Sequence, residues 1–206
     1  MAPPSPKRRT FTYKKVNTLE IPLDFYPPDS AHNVPILIWF HGGGLLQGKR
    51  SSVSPHMLRA VHAHNLALVS ADYRLAPQVG IAEIYEDVRD CIAFIRNKLP
   101  QLAGEGVLDA SRLAEANLGS LLKVKAGDDN WRVAKKIYEY GLPPAYVVHG
   151  DADTAVGVDQ ADEVVGVMVG CGMEVVYERL RGVNHLFDKE ESVGMEQMYE
   201  WMMKRL

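Results

Sequence analysis

His41-Gly42-Gly43-Gly44 is the run of residues in this 206-residue chain whose types and spacing best suit chemistry. Glycine lacks a Cβ, so its N–H groups can approach a ligand closely and its backbone takes positive φ at little steric cost. At the end of a strand, such N–H groups suit an oxyanion hole. They stand as fixed donors where negative charge develops on a carbonyl oxygen during acyl transfer. Gly42, Gly43 and Gly44 are therefore the candidate donors. The plainer alternative is a glycine-rich turn with no chemistry. The run matches neither the dinucleotide-binding glycine pattern nor the phosphate loop. Two further loops carry chemistry-bearing residues: Asp151-Ala152-Asp153 and Gly182-Val183-Asn184-His185.

Metal ligation is weakly signalled. His56, His62 and His64 cluster, but His62 and His64 are two apart on an expected helix and so diverge. No Cys or carboxylate spacing joins them, which favours surface histidines. No metal and no cofactor is expected. Cys91 falls on the apolar face of an expected helix and reads as core, and Cys171 between Gly170 and Gly172 reads as a helix-ending turn.

The glycine loop needs a rigid strand to hold it. Val34 to Phe40 is apolar or Pro throughout, as suits a strand buried on both faces of a parallel sheet. Before it, Phe11–Val16 and Leu19–Tyr26 read as antiparallel strands, the second alternating like a half-exposed edge strand on which Pro22 is tolerated. After it come a helix over 52–64, a buried strand over 66–73 and an amphipathic helix over 81–99. This βαβ rhythm predicts a doubly wound, mostly parallel α/β sheet. From Ala110 to Leu122 no run has strand character. A helix over 131–140, a strand over 145–150 leading into the acidic loop, a helix over 158–169, a strand over 173–180 and a closing helix follow.

Composition bounds the function classes. A formal charge of -3 and an isoelectric point near 6.2 argue against a nucleic-acid binder. No run approaches the roughly 18 apolar residues of a membrane helix. Two cysteines give no disulfide framework, so a reducing, cytoplasmic setting is the default expectation. Residues 1–10 read as a disordered leader and 11–206 as one domain.

The loops taken together (Ala71-Asp72-Tyr73-Arg74-Leu75-Ala76-Pro77, then His149-Gly150-Asp151-Ala152-Asp153, then Gly182-Val183-Asn184-His185) resemble the α/β-hydrolase superfamily. The likeness is to its esterase and lipase branch with a His-Gly-Gly-Gly loop, in its fungal form. The resemblance implies that Asp153 orients His185, which serves as general base. It also implies a small carboxylic ester or lactone as substrate. Asp151 is the neighbour with which Asp153 could be confused. The family's nucleophile sits in Gly-x-Ser-x-Gly, and no such motif occurs in this sequence. Ser120, with Gly119 before it but no second glycine, is the nearest candidate, and it reads equally as a turn or N-cap serine. Ser70 and Ser111 fit less well. The nucleophile is thus unassigned.

One explanation covers the missing motif and the missing strand: an internal segment is absent near residues 114–115, contracting the sheet. Either Val34–Phe40 then pairs directly with Ala145–Val148, or strand edges stay open and invite self-association. Three functions follow: an esterase or lactonase impaired by loss of its serine, a non-catalytic binding relic, or a His–Asp acid–base lyase or cyclase.

Overall fold

A computed structural model describes residues 6–116 and 133–206. These divide into two compact units, residues 6–116 with 203–206 and residues 133–202.

The first unit is built on a five-stranded sheet of order β1-β2-β4-β3-β5. Its strands are β1 (Arg9–Val16), β2 (Leu19–Tyr26), β3 (Val34–Phe40), β4 (Ala67–Ala71) and β5 (Leu108–Ala116). All seven residues of β3 are buried, as an uncharged run flanked on both edges should be. Each large side chain fully buried there contributes about 1.5–3 kcal/mol relative to exposure. β3 lies parallel to β4 and β5, while β1 and β2 extend the sheet antiparallel. Helix α1 (Pro55–Ala63) buries Met57 and Val61, and α2 (Ile81–Asn97) buries Ile84, Val88, Cys91 and Ile95. Cys91 is core, and burial pushes its thiol pKa up. A short helix, α3 (Leu99–Ala103), precedes β5.

Four expectations change. The strand sought after α2 exists as β5, parallel to β3. Its pairing slips between Val34↔Leu108 and Ile36↔Leu113, where Asp109 Oδ1 accepts from the Ser111 N–H and breaks any regular alternation. Both edges of β3 are accordingly occupied, so β3 does not pair with Ala145–Val148. β2 is an inner strand, not an edge; Pro22 fits because β1 bulges opposite it, the register slipping between Thr12 and Lys14. β1 itself begins at Arg9, ahead of the expected Phe11.

The second unit holds a parallel pair, β6 (Ala145–Gly150) and β7 (Val175–Leu180), in register from Ala145↔Val175 to Gly150↔Leu180. Helix α5 (Asp159–Gly170) connects them and buries Ala161 and Met168. Parallel neighbours require such a crossover. Helices α4 (Val133–Tyr140) and α6 (Glu196–Met203) complete it, with Trp201 edge-on to Tyr146 at 5.6 Å. Among the described residues no helix is long and apolar enough to cross a membrane.

Candidate active site

Parallel pairing decides where the second unit's chemistry lies. Because Gly150 stands opposite Leu180, the loops leaving β6 and β7 emerge at the same carboxyl edge. They are tied by backbone bonds from Asp151 N–H to the Leu180 carbonyl and Ala152 N–H to the Val183 carbonyl. A Cβ at position 150 would drive into the Val183 carbonyl oxygen, so only glycine lets the loops approach this closely.

Within this edge His185 Nδ1 donates to Asp153 Oδ2 at 2.8 Å. The acid is held from its other side, where Oδ1 accepts the N–H groups of Ala155 and Val156 at 2.8 and 2.7 Å. Burial raises the Asp153 pKa, but the Val156 amide, the His185 ring and the Ala155 amide outweigh it and hold it below the usual carboxylate range. The Asp153 side chain is 7% exposed and that of His185 38%, so a shielded carboxylate holds an imidazole open to solvent. Asn184 fixes the histidine loop: its Oδ1 accepts from the His185 and Thr154 N–H groups at 2.7 and 3.1 Å.

Asp151 has a different place. Its Oδ1 accepts the Gly182 N–H at 2.6 Å, making it a tether between loops. The structure thus brings Asp153, not Asp151, onto His185. One neighbour escaped the sequence reading: His149 Nε2 lies 3.5 Å from Asp153 Oδ2 and donates to the Val156 carbonyl at 2.9 Å. Its sequence signals were its place at the head of the run ending at Asp153 and its position four residues before that acid.

The glycine loop belongs to the first unit. Gly43 and Gly44 are exposed and Gly42 half-buried, with φ of 117° at Gly43 and 64° at Gly44. A Cβ on Gly43 would strike the Gln47 carbonyl, whereas one on Gly44 would meet open space. The same unit holds a charged network in which only Asp72 belonged to a quoted motif. Arg50 Nε reaches Asp24 at 3.1 Å and its Nη1 reaches Asp72, while Ser70 Oγ donates to the Arg50 carbonyl at 2.6 Å. Asp24 and Ser70 are fully buried.

Of the serines considered, Ser120 lies outside the described residues. Ser70 is spent on Arg50, and Ser111 Oγ donates to Asp109 at 2.5 Å. Of the clustered histidines, His56 is buried rather than on the surface, and His62 Nδ1 lies 3.7 Å from Asp29.

Comparison with known proteins agrees with this architecture. The BD-FAE family matches residues 23–114. The non-reducing polyketide synthase stbA of Stachybotrys bisbyi is 35% identical over 106 residues, 50% of this chain. The non-reducing polyketide synthase ascC of Acremonium egyptiacum is 29% identical over 148 residues, 69% of the chain. The matched segments are only 5% and 7% of the length of those synthases. Among solved structures, Thermogutta terrifontis esterase 2 phosphonylated by sarin superposes with a TM-score of 0.70 at 18% identity, over 98% of this chain and 94% of the esterase. A mutant of LAE6, an alpha/beta hydrolase enzyme from the metagenome of Lake Arreo, Spain, gives 0.76 at 18% identity, over 100% of this chain and 84% of its own. The chain has the α/β-hydrolase fold, and its residues 23–114 match the BD-FAE family.

Proposed function

We propose that the chain is an esterase-like protein in which the acid–base pair and the oxyanion loop are kept and the serine nucleophile is not. The observation that carries this reading is the 2.8 Å bond from His185 Nδ1 to a shielded Asp153 carboxylate. With Nδ1 as donor, Nε2 is the basic nitrogen. Gly42, Gly43 and Gly44 are the oxyanion donors. The substrate class is a small carboxylic ester or lactone, and the polyketide synthase relatives add polyketide esters to the list worth testing. No nucleic acid, membrane, metal or cofactor has a part in this reading, and its setting is cytoplasmic.

In place of a serine, water is the nucleophile. His185 Nε2 takes a water proton as the water oxygen adds to the ester carbonyl carbon. Collapse breaks the carbon–oxygen bond of the leaving group, which takes the proton back from His185, giving acid and alcohol. Acid–base help of this kind contributes typically about 10²–10⁴-fold, without the covalent step of a complete triad. The expected activity is therefore slow hydrolysis. Release of p-nitrophenol from p-nitrophenyl butyrate tests it: a slow, linear rate lost in His185→Ala supports the reading. A rate unchanged in that variant overturns it.

A second reading, a non-catalytic binding module, is favoured by the absence of Gly-x-Ser-x-Gly from the whole sequence. It predicts saturable binding of the ester with no His185-dependent release.

A further inference from the structure

We infer that Tyr73 and the His41 imidazole are positioning residues that aim the oxyanion donors; this rests on the oxyanion reading of the glycine loop. In a trans peptide the C=O of one residue and the N–H of the next point in opposite directions, and the plane between them is rigid. Pinning a carbonyl therefore aims the following N–H.

Three consecutive planes of this loop are pinned. The His41 carbonyl accepts the Tyr73 hydroxyl at 2.7 Å, which turns the Gly42 N–H away from Tyr73. The Gly42 carbonyl accepts His41 Nδ1–H at 2.9 Å, which turns the Gly43 N–H away from the ring. The Gly43 carbonyl accepts the N–H groups of Leu46 and Gln47 at 3.2 and 3.3 Å, which sets the Gly44 N–H. The first two pins come from side chains, and these two rings stack at 4.3 Å and 12°. His41 is 2% exposed and Tyr73 4%, so neither pin competes with bulk water. Burial, aided by the Asp72 charge, pushes the Tyr73 hydroxyl up to about 12, which keeps it protonated as a donor. Gly48, at φ 116°, closes the arrangement: a Cβ there would collide with both the Gly42 carbonyl and His41 Nδ1. Leu45 anchors the far end, with its side chain buried and its carbonyl accepting the Ala76 N–H at 2.9 Å.

A plain packing role for these rings would tolerate Tyr73→Phe, which keeps the stack and loses only the hydroxyl. Positioning would not. The test uses the whole chain, ¹⁵N-labelled, titrated with butylphosphonate as a tetrahedral oxyanion probe, reading the amide shifts of Gly42 and Gly43. The wild-type amides should shift saturably. Tyr73→Phe and His41→Leu should each weaken binding about five-fold or more, the effect of losing one aligned hydrogen bond. His41→Asn, whose side-chain amide can donate to the Gly42 carbonyl from the Nδ1 position, should recover most of the affinity. Equal binding by wild type, Tyr73→Phe and His41→Leu would overturn the positioning role alone. Absence of any shift in the wild type would overturn the oxyanion reading and this inference with it. Should His41→Leu fail to fold, the conservative Tyr73→Phe still decides.

Discussion

The nitrogen of His185 that faces Asp153 sits 2.8 Å from its carboxylate, and the other oxygen of that carboxylate is taken by two backbone amides. The remaining oxygen faces two imidazoles, His185 at 2.8 Å and His149 at 3.5 Å, and bonds the nearer. Asp153→Asn replaces the acceptor that holds the ring's tautomer. Ester hydrolysis by the variant should fall about 100-fold or more, within the range ascribed to a positioned acid–base group. Initial rates of p-nitrophenyl butyrate cleavage give the number, and a fall under three-fold would remove Asp153 from the mechanism.

A second prediction concerns Asp87, fully buried on α2 and gripped by Arg74 through two bonds of 2.8 Å and by Lys14 at 2.9 Å. Burial raises its pKa, but the bonds from Arg74 and Lys14 outweigh burial and hold it below the usual carboxylate range. Asp87→Asn removes the buried partner and leaves Arg74 with Glu86 and Lys14 with Glu86 and Asp90, so it should cost up to about 3 kcal/mol. A folded pKa below the unfolded one stabilises above the unfolded value, near 4, and that stability fades as pH falls through the folded value. Urea midpoints of wild type and variant should thus differ fully at pH 6 and converge below pH 4. A gap independent of pH would contradict the assignment.

Gly150 and Gly170 make a matched contrast. The Cβ of Gly150→Ala runs into the Val183 carbonyl, whereas Gly170 has nothing within 4 Å of that position. Gly150→Ala should destabilise by about 1–3 kcal/mol, as overpacking against an unyielding group does. Gly170→Ala should be near neutral. Thermal melts of the two variants decide, and equal effects would mean that the strand-end approach is not tight.

Gly43 and Gly44 differ in the same way within the glycine loop. Gly44→Ala meets open space and bears only the backbone cost of φ 64°, roughly 1 kcal/mol. Gly43→Ala meets the Gln47 carbonyl as well, at φ 117°. Butylphosphonate binding should survive the first change largely intact and be lost in the second. The reverse order would show that the loop is shaped otherwise.

Much of this arrangement was readable from residues alone, for physical reasons that differ by element. β3 was legible end to end because a strand covered on both edges and faces can only be an apolar run. β6 was legible for its Val-Val core and its exit through Gly150 into acids. β5 was not, because Leu-Asp-Ala-Ser-Arg-Leu-Ala-Glu-Ala carries helix-favouring residues and a side-chain turn at Asp109. Its strand state comes from pairing with β3, a tertiary effect that overrides local propensity. Pro22 misled for a related reason, since a bulge on the partner strand, invisible in β2 itself, admits it to an inner strand. Asp153 and His185 were paired in expectation by the resemblance of their loops, and the two are hydrogen-bonded. Asp24 and Arg50 were not legible, because an ion pair between distant segments leaves no periodic trace. Ser120, the remaining question of the chemistry, lies outside the described residues.

The central claim is an acid–base pair and oxyanion loop working without a covalent nucleophile. Intact mass after incubation with a fluorophosphonate probe tests it most directly, because an activated serine would displace fluoride and gain the probe's mass less hydrogen fluoride. The account predicts an unmodified chain that still releases p-nitrophenol in a His185-dependent manner. A stoichiometric adduct abolished by His185→Ala, whether on Ser120 or elsewhere, would contradict it and restore a serine esterase.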